Sequence, residues 1–218
     1  MAPAPTVVVH EIYRSVQGES TFAGVPCTFV RLTGCNLRCT WCDTPDAFHG
    51  GERMPVDDVV ARALALGTEA IEVTGGEPLL QPGTIALLAS LVDTGKTILL
   101  ETSGERDIGA VDPRVHRIMD LKAPGSGESE RNRWENIPLL TARDEVKFVI
   151  ADRADYLWAA ETIRAHDLSS RVHAVLLSPV HGVLDPKELV RWTLDDGLPC
   201  RVQLQLHKYI WSAEAKGV

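Results

Sequence analysis

No segment of the 218-residue sequence is apolar for long enough to cross a bilayer as a helix. Its first residues, MAPAPTVVVHEIYRS, lack the basic stretch followed by an apolar one that marks a secretory leader. A cytoplasmic setting is the expectation. Cationic charge is scarce: 22 Lys and Arg stand against 30 Asp and Glu, a net charge of −8. That balance gives no footprint for nucleic acid and no polybasic contact with a membrane. No internal repeat is visible. Cysteine is sparse as well, five in all, and no fourth cysteine stands near the three that cluster. In a reducing compartment a disulfide scaffold is not expected. Clustered thiols there point to a metal site or to catalysis.

The 44% hydrophobic and 24% charged residues are ordinary for a globular protein with a real core. Branched apolar runs predict strands over Pro26–Gly34, Glu69–Gly75, Lys96–Gly104, Arg117–Pro124, Asp144–Ile150, Val172–Val180 and Cys200–His207. Helical patterns fill Pro55–Gly67, 82–92, 154–167 and 185–197. Alternation of this kind predicts an α/β fold with a parallel sheet and right-handed crossovers. We expect an incomplete TIM-type barrel of about six parallel strands with flanking helices, preceded by an N-terminal strand or hairpin. A single domain spans 1–218, with an extension over 1–25, the partial barrel over 26–210 and a tail over 211–218. The polar stretch Ala123–Arg133, rich in Gly and Ser, reads as a mobile loop.

The cluster of thiols lies in GCNLRCTWCDT, residues 34–44, just past the first barrel-type strand. Parallel α/β folds carry their chemistry at the carboxyl ends of strands. Cys35, Cys39 and Cys42 are spaced C-x3-C-x2-C. Thiolates select zinc, copper(I) or iron–sulfur clusters. A structural zinc site wants four protein ligands, and His49 is a candidate fourth. A [4Fe–4S] cluster normally takes four thiolates, so three would leave one iron open to a substrate or cofactor. Gly34 and Asn36 suit a loop wrapped closely around a cube. Trp41 either shields such a cluster or is an ordinary packed aromatic. TGGEP, residues 74–78, follows a predicted strand. Its glycines allow close backbone approach to a ligand, and Glu77 is suited to hold an ammonium; a plain strand-end turn is the simpler alternative.

Together the triplet and TGGEP resemble the radical S-adenosylmethionine (SAM) superfamily. SVQGES (15–20), CDT (42–44), ETSG (101–104) and QLHKYIW (205–211) narrow the resemblance to the 7-carboxy-7-deazaguanine synthase family. The resemblance implies a [4Fe–4S] cluster on Cys35, Cys39 and Cys42, with SAM chelated at the open iron and cleaved to a 5′-deoxyadenosyl radical. It implies conversion of 6-carboxy-5,6,7,8-tetrahydropterin to 7-carboxy-7-deazaguanine and ammonia, by hydrogen abstraction at C6 and ring contraction, in queuosine and 7-deazapurine biosynthesis. Gly76, Glu77, Ser103 and Lys122 would contact SAM. Gln17, Glu19, Arg31, Glu101, Gln205 and His207 would contact the pterin, Arg31 through its carboxylate. Thr44 would bind Mg2+ through its hydroxyl, although a local turn cap is an equal use for it. A homodimer and a reducing partner such as flavodoxin or ferredoxin are further implications. Cys27 and Cys200 read as small buried side chains.

Two departures from the family pattern stand out. Ser20 replaces the usual glycine of Q-G-E-G, and serine tolerates positive φ poorly, so a slightly different loop is expected. The interval from Thr44 to Pro55 is too short for a full helix, so loops are expected to cap the substrate. Two other classes remain: a different radical SAM enzyme such as a glycyl-radical-enzyme activase, and a non-enzymatic zinc-binding module.

Overall fold

The branched apolar runs form their strands within one nine-stranded sheet of order β3-β1-β2-β4-β5-β6-β7-β8-β9. This computed structural model describes residues 4–213 and 215–217. The strands are β1 (Thr6–Val16), β2 (Pro26–Leu32), β3 (Glu52–Pro55), β4 (Ala70–Gly75), β5 (Thr97–Thr102), β6 (His116–Asp120), β7 (Glu145–Ile150), β8 (Ala174–Pro179) and β9 (Arg201–Val202). From β2 through β4 to β9 every neighbouring pair is parallel. β1 pairs antiparallel with both β2 and β3, which makes the N-terminal extension a hairpin. Because β3 and β9 are free edges, the barrel stays open.

Period-two alternation sorts each strand's side chains onto two faces. Val30, Leu32, Ile71, Val73, Ile98 and Leu100 turn outward, into one core with residues of α1 (Val56–Ala65) and α2 (Gly83–Val92). Val146, Phe148, Ile150, Val175 and Leu177 form a second core with α3 (Arg153–Ala165), α4 (Leu168–Arg171) and α5 (Pro186–Asp195). Each such side chain contributes roughly 1.5–3 kcal/mol by leaving water. The helices start where the sequence provides caps: Asp152 accepts from Asp155 N at 3.0 Å, and Asp185 from Lys187 N at 3.0 Å. The opposite faces of the same strands mix apolar side chains such as Phe29, Leu99 and Leu176 with polar ones, and that concave side holds Arg31, Glu72, Glu101, Asp120, Lys147 and Ser178.

Three segments differ from the sequence reading. Residues 200–207 do not continue as a strand: β9 is two residues long, and His207–Ile210 is a helical turn, α6. The cause is a rival partner, because Leu206 N donates to Gly18 O at 2.9 Å and draws the segment over the concave side. The stretch 123–133 is not a loose loop. It forms two short 3-10 turns, Pro124–Ser126 and Ser129–Arg131. Ser126 O accepts from Thr40 N at 3.0 Å, and the Asn132 amide clamps the backbone of Lys122 at 2.8 and 2.9 Å. Residues 44–55 do lack an α-helix, but they add β3 as an edge strand after the turn Pro45–Phe48.

Candidate active site

The cysteine loop leaves β2 through Gly34, whose φ of 102° favours glycine. Leu37, 2% exposed, pins the loop to the protein. Cys35 and Cys39 are half-buried, Cys42 is exposed, and all are free thiols. Burial pushes the Cys35 and Cys39 thiols up, so binding metal here releases protons. Both amide atoms of Asn36 are buried without a protein partner. Among the described residues no three His, Cys, Asp or Glu side chains gather as a single-ion site, and His49 is exposed. Trp41 is half-buried beside the triplet.

The Gly-Gly-Glu turn after β4 is joined to this loop. Glu77 N donates to Gly34 O at 2.8 Å. A Cβ on Gly76 would lie 2.4 Å from Gly34 O and 2.5 Å from the Cys35 Cβ. The glycine is thus demanded by the cysteine loop itself. The Glu77 carboxylate, read from sequence as a grip for an ammonium, is occupied by protein. It is 1% exposed and accepts from Leu79 N at 2.9 Å, Thr102 Oγ1 at 2.9 Å, Ser103 N at 2.7 Å and Ser103 Oγ at 2.6 Å. It ties the turn to the end of β5, and the same bonds engage Ser103. Lys122 is not a solvated strand-end lysine. Its ammonium lies 2.8 Å from Asp120 Oδ2; burial opposes its charge, but Asp120 and the nearby Cys39 raise its pKa above the ordinary value.

Below the loop the concave face carries the remaining side chains. Gln17 accepts from Glu19 N at 3.1 Å through Oε1, so its Nε2 points to Glu72 and donates there. Lys147 Nζ touches Glu101 Oε1 and lies 3.1 Å from Glu19 Oε2 and 3.9 Å from Asp120 Oδ2. Gln205 Nε2 reaches Glu19 Oε1 at 2.9 Å and Asp43 Oδ2 at 3.1 Å. His207 packs on the loop before β2: a Cβ on Gly18 would fall 2.2 Å from its Nδ1. Burial lowers the His207 pKa. Arg31 is held by Glu11 Oε1 and Tyr13 Oη, each at 2.8 Å. Ser20 takes a left-handed backbone with φ 63°, the region that favours glycine. Its hydroxyl accepts from Phe22 N at 3.1 Å, and its own N donates to Gln203 Oε1 at 2.8 Å. Those bonds offset a left-handed cost of about 1–2 kcal/mol.

Thr44 Oγ1 donates to Asp43 Oδ1 at 2.9 Å and caps no turn with its side chain. Asp43 Oδ2 in turn accepts from Lys208 Nζ at 3.0 Å. Desolvation pulls the other way, yet Lys208 and the hydrogen bonds around it hold the Asp43 carboxyl well below its usual range. The sequence reading passed over Lys147, Asp120, Asp43 and Gln203. Lys147 carried a signal, the one cation inside the strand run EVKFVI, and Asp43 stood in the quoted CDT stretch.

Residues 29–192 match the family model of the radical SAM superfamily, which covers well over half of the chain. The fold and the thiol-bearing loop at the sheet's carboxyl end therefore define a radical SAM enzyme. Over 213 residues the chain is 49% identical to 7-carboxy-7-deazaguanine synthase of Chlorobaculum tepidum, covering 96% of each. It is 46% identical over 224 residues to the synthase of Koribacter versatilis, covering 96% of this chain and 99% of that one. The chain belongs to the 7-carboxy-7-deazaguanine synthase family. The crystal structure of QueE from Escherichia coli shares the fold, with a TM-score of 0.76 over 93% of this chain and 95% of that one at 21% identity.

Membership brings a [4Fe–4S] cluster and SAM. The residues present fit them. Three free, soft thiols stand on one short loop without a single-ion geometry, beside an amide, Asn36, whose buried atoms still lack partners.

Proposed function

We propose that the enzyme converts 6-carboxy-5,6,7,8-tetrahydropterin to 7-carboxy-7-deazaguanine and ammonia, the step that feeds queuosine and 7-deazapurine biosynthesis. The observation that carries this reading is the chain of contacts Gln205–Glu19–Lys147–Glu101, hung beside the cysteine loop on one concave face. A pterin offers a guanidine-like edge, ring amides and a carboxylate. Glu101 and Glu19 are acceptors suited to the first, and Gln17 and Gln205 to the amides. Arg31, already steadied by Glu11 and Tyr13, is suited to the carboxylate through paired N–H donors. His207 closes on the ring from α6 as a neutral base near pH 7.

The cluster with SAM supplies a carbon radical that takes hydrogen from substrate. Cys35, Cys39 and Cys42 would hold the cluster. The polypeptide holds the reacting carbon in place and keeps water out. Gly76 lets the SAM-side turn sit against the cysteine loop, and Ser103 and Lys122 line the same rim. Thr44 is proposed as the Mg2+ ligand, since a hard cation prefers oxygen and keeps water or substrate oxygens in its shell. A homodimer, a cytoplasmic setting, one domain over 1–218 and a reducing partner such as flavodoxin or ferredoxin belong to the same reading.

The test is turnover of the carboxytetrahydropterin by anaerobically reconstituted enzyme with SAM, Mg2+ and a reductant. The deazaguanine acid is the expected product. Its absence from enzyme that carries iron and sulfide overturns the reading. Glu101→Gln and His207→Ala should impair pterin turnover more than SAM binding. Thr44→Ala should remove the Mg2+ response and leave the cluster intact; an unchanged Mg2+ response refutes its role.

A further inference from the structure

We infer that Lys147 is a positioning residue: its buried ammonium, in contact with Glu101 and Glu19 at once, holds Glu101 rather than the neighbouring Glu72 toward substrate as the charged acceptor. The inference rests on the pterin reading for its purpose and on geometry for its substance.

Lys147 is the one cationic side chain of β7, and it is only 5% exposed. A buried ammonium without partners would shed its proton. Here burial opposes the charge, but Glu101, Glu19 and Asp120 surround it and raise its pKa well above the ordinary lysine value. Two of its donor hydrogens go to Glu101 and Glu19, and Asp120, 3.9 Å away, adds its charge without a hydrogen bond.

Glu72 is on β4, next to β5, and 2% exposed. Its hydrogen-bond partner is a neutral amide, that of Gln17. Burial first, then the charge of Glu101, pushes the Glu72 carboxyl well up. Burial pushes on Glu101 too, but contact with Lys147 outweighs it and the Glu101 pKa falls. Lys147 pulls on both neighbouring acids but touches only Glu101, so the two part, and burial with the charge of Glu101 sets the direction at Glu72. The other charged groups facing Glu101 are Asp43 and Lys122 at the rim and His207 on α6; Asp120 on β6 faces Lys147, and Glu72 is faced by Glu19 and by Arg31 on β2. None of these cations makes the contact with Glu101 that Lys147 makes.

Such a split matters for a guanidine-like edge, which presents N–H donors and needs acceptors. An ionised Glu101 accepts at both oxygens; a protonated one turns an O–H toward the ligand. The site then favours a ligand that presents those N–H groups, because an analogue without them leaves the remaining acceptor capacity of Glu101 unused.

The test compares Lys147→Met and Lys147→Arg in reconstituted holoenzyme, with Lys147→Gln as a second neutral variant should the Met form lose its iron or its circular dichroism. In enzyme labelled with 13C-glutamate, infrared carboxyl bands are assigned by Glu101→Gln and Glu72→Gln and titrated with pH. The neutral variants should raise the pH at which Glu101 takes a proton, while Lys147→Arg should not. The acid limb of kcat/KM for the pterin should move up by the same interval, so activity near neutral pH drops about tenfold per unit of movement and returns in alkali. A loss equal at every pH and shared by the Arg variant, or an unmoved Glu101 titration, overturns the inference. If wild-type enzyme leaves the pterin unchanged, the substrate reading fails, and the carboxyl titration still decides the role of Lys147.

Discussion

Replacing Glu77 with alanine removes a carboxylate that satisfies four donors, from Leu79, Thr102 and Ser103. A hydrogen bond to an ionised group contributes about 1.5–3 kcal/mol, and such terms do not add. A buried donor left without its acceptor costs about 1–3 kcal/mol. Thr102 and Ser103, 2% and 7% exposed, lose theirs together, so about 3–5 kcal/mol in all is expected. For a domain this size each kcal/mol moves Tm by roughly 2–4 °C, so a fall on the order of 6–20 °C is expected. The assay is thermal unfolding of anaerobic protein before iron and SAM are added. A glutamate kept for gripping the ammonium of SAM would give another result: unchanged melting of the metal-free protein, with only SAM affinity lost. Melting within about 2 °C of wild type would refute the tether.

Gly76→Ala should lower iron incorporation during reconstitution, measured as iron per chain, because its Cβ would press on Gly34 and Cys35. Arg117→Met strips the partner from Asp144, which is 1% exposed on its side chain, at the far end of β6 from the site. It should lower stability by about 3–5 kcal/mol in denaturant titration while leaving SAM affinity unmoved. The depressed Asp43 pKa has a defined sign: the latch to Lys208 and Gln205 is fully present above the ordinary carboxylate value and is lost only as pH falls through the lower folded value. Limited proteolysis around residues 205–210 should therefore begin only in strong acid, and Lys208→Met should bring its onset to higher pH.

Most of the parallel sheet was legible because fully buried strands read as branched apolar runs. Cys200–His207 reads the same way. QLQLH alternates like a strand, but its glutamines and histidine find partners on Glu19 and Gly18, and no periodicity discloses a partner so distant in sequence. Ala123–Arg133 looks like a loose loop by composition, yet its backbone closes on Thr40 and Lys122. The cysteine spacing and the Q-G-E and H-K-Y stretches picked out segments that the fold brings together on one concave face. What composition hides is occupancy: Glu77 looks free in the sequence and is filled in the fold. Lys147 looks like an ordinary strand lysine and is the most heavily paired cation of the concave face.

The bond from the Glu77 amide to the Gly34 carbonyl makes one backbone proton a gauge of how the cysteine loop is seated. Exposure to air should loosen the loop, with the deuterium uptake of that amide quickening before the sheet beneath it opens. Oxidative injury would then be felt on both sides of the pocket at once, since neither wall can shift without drawing the other.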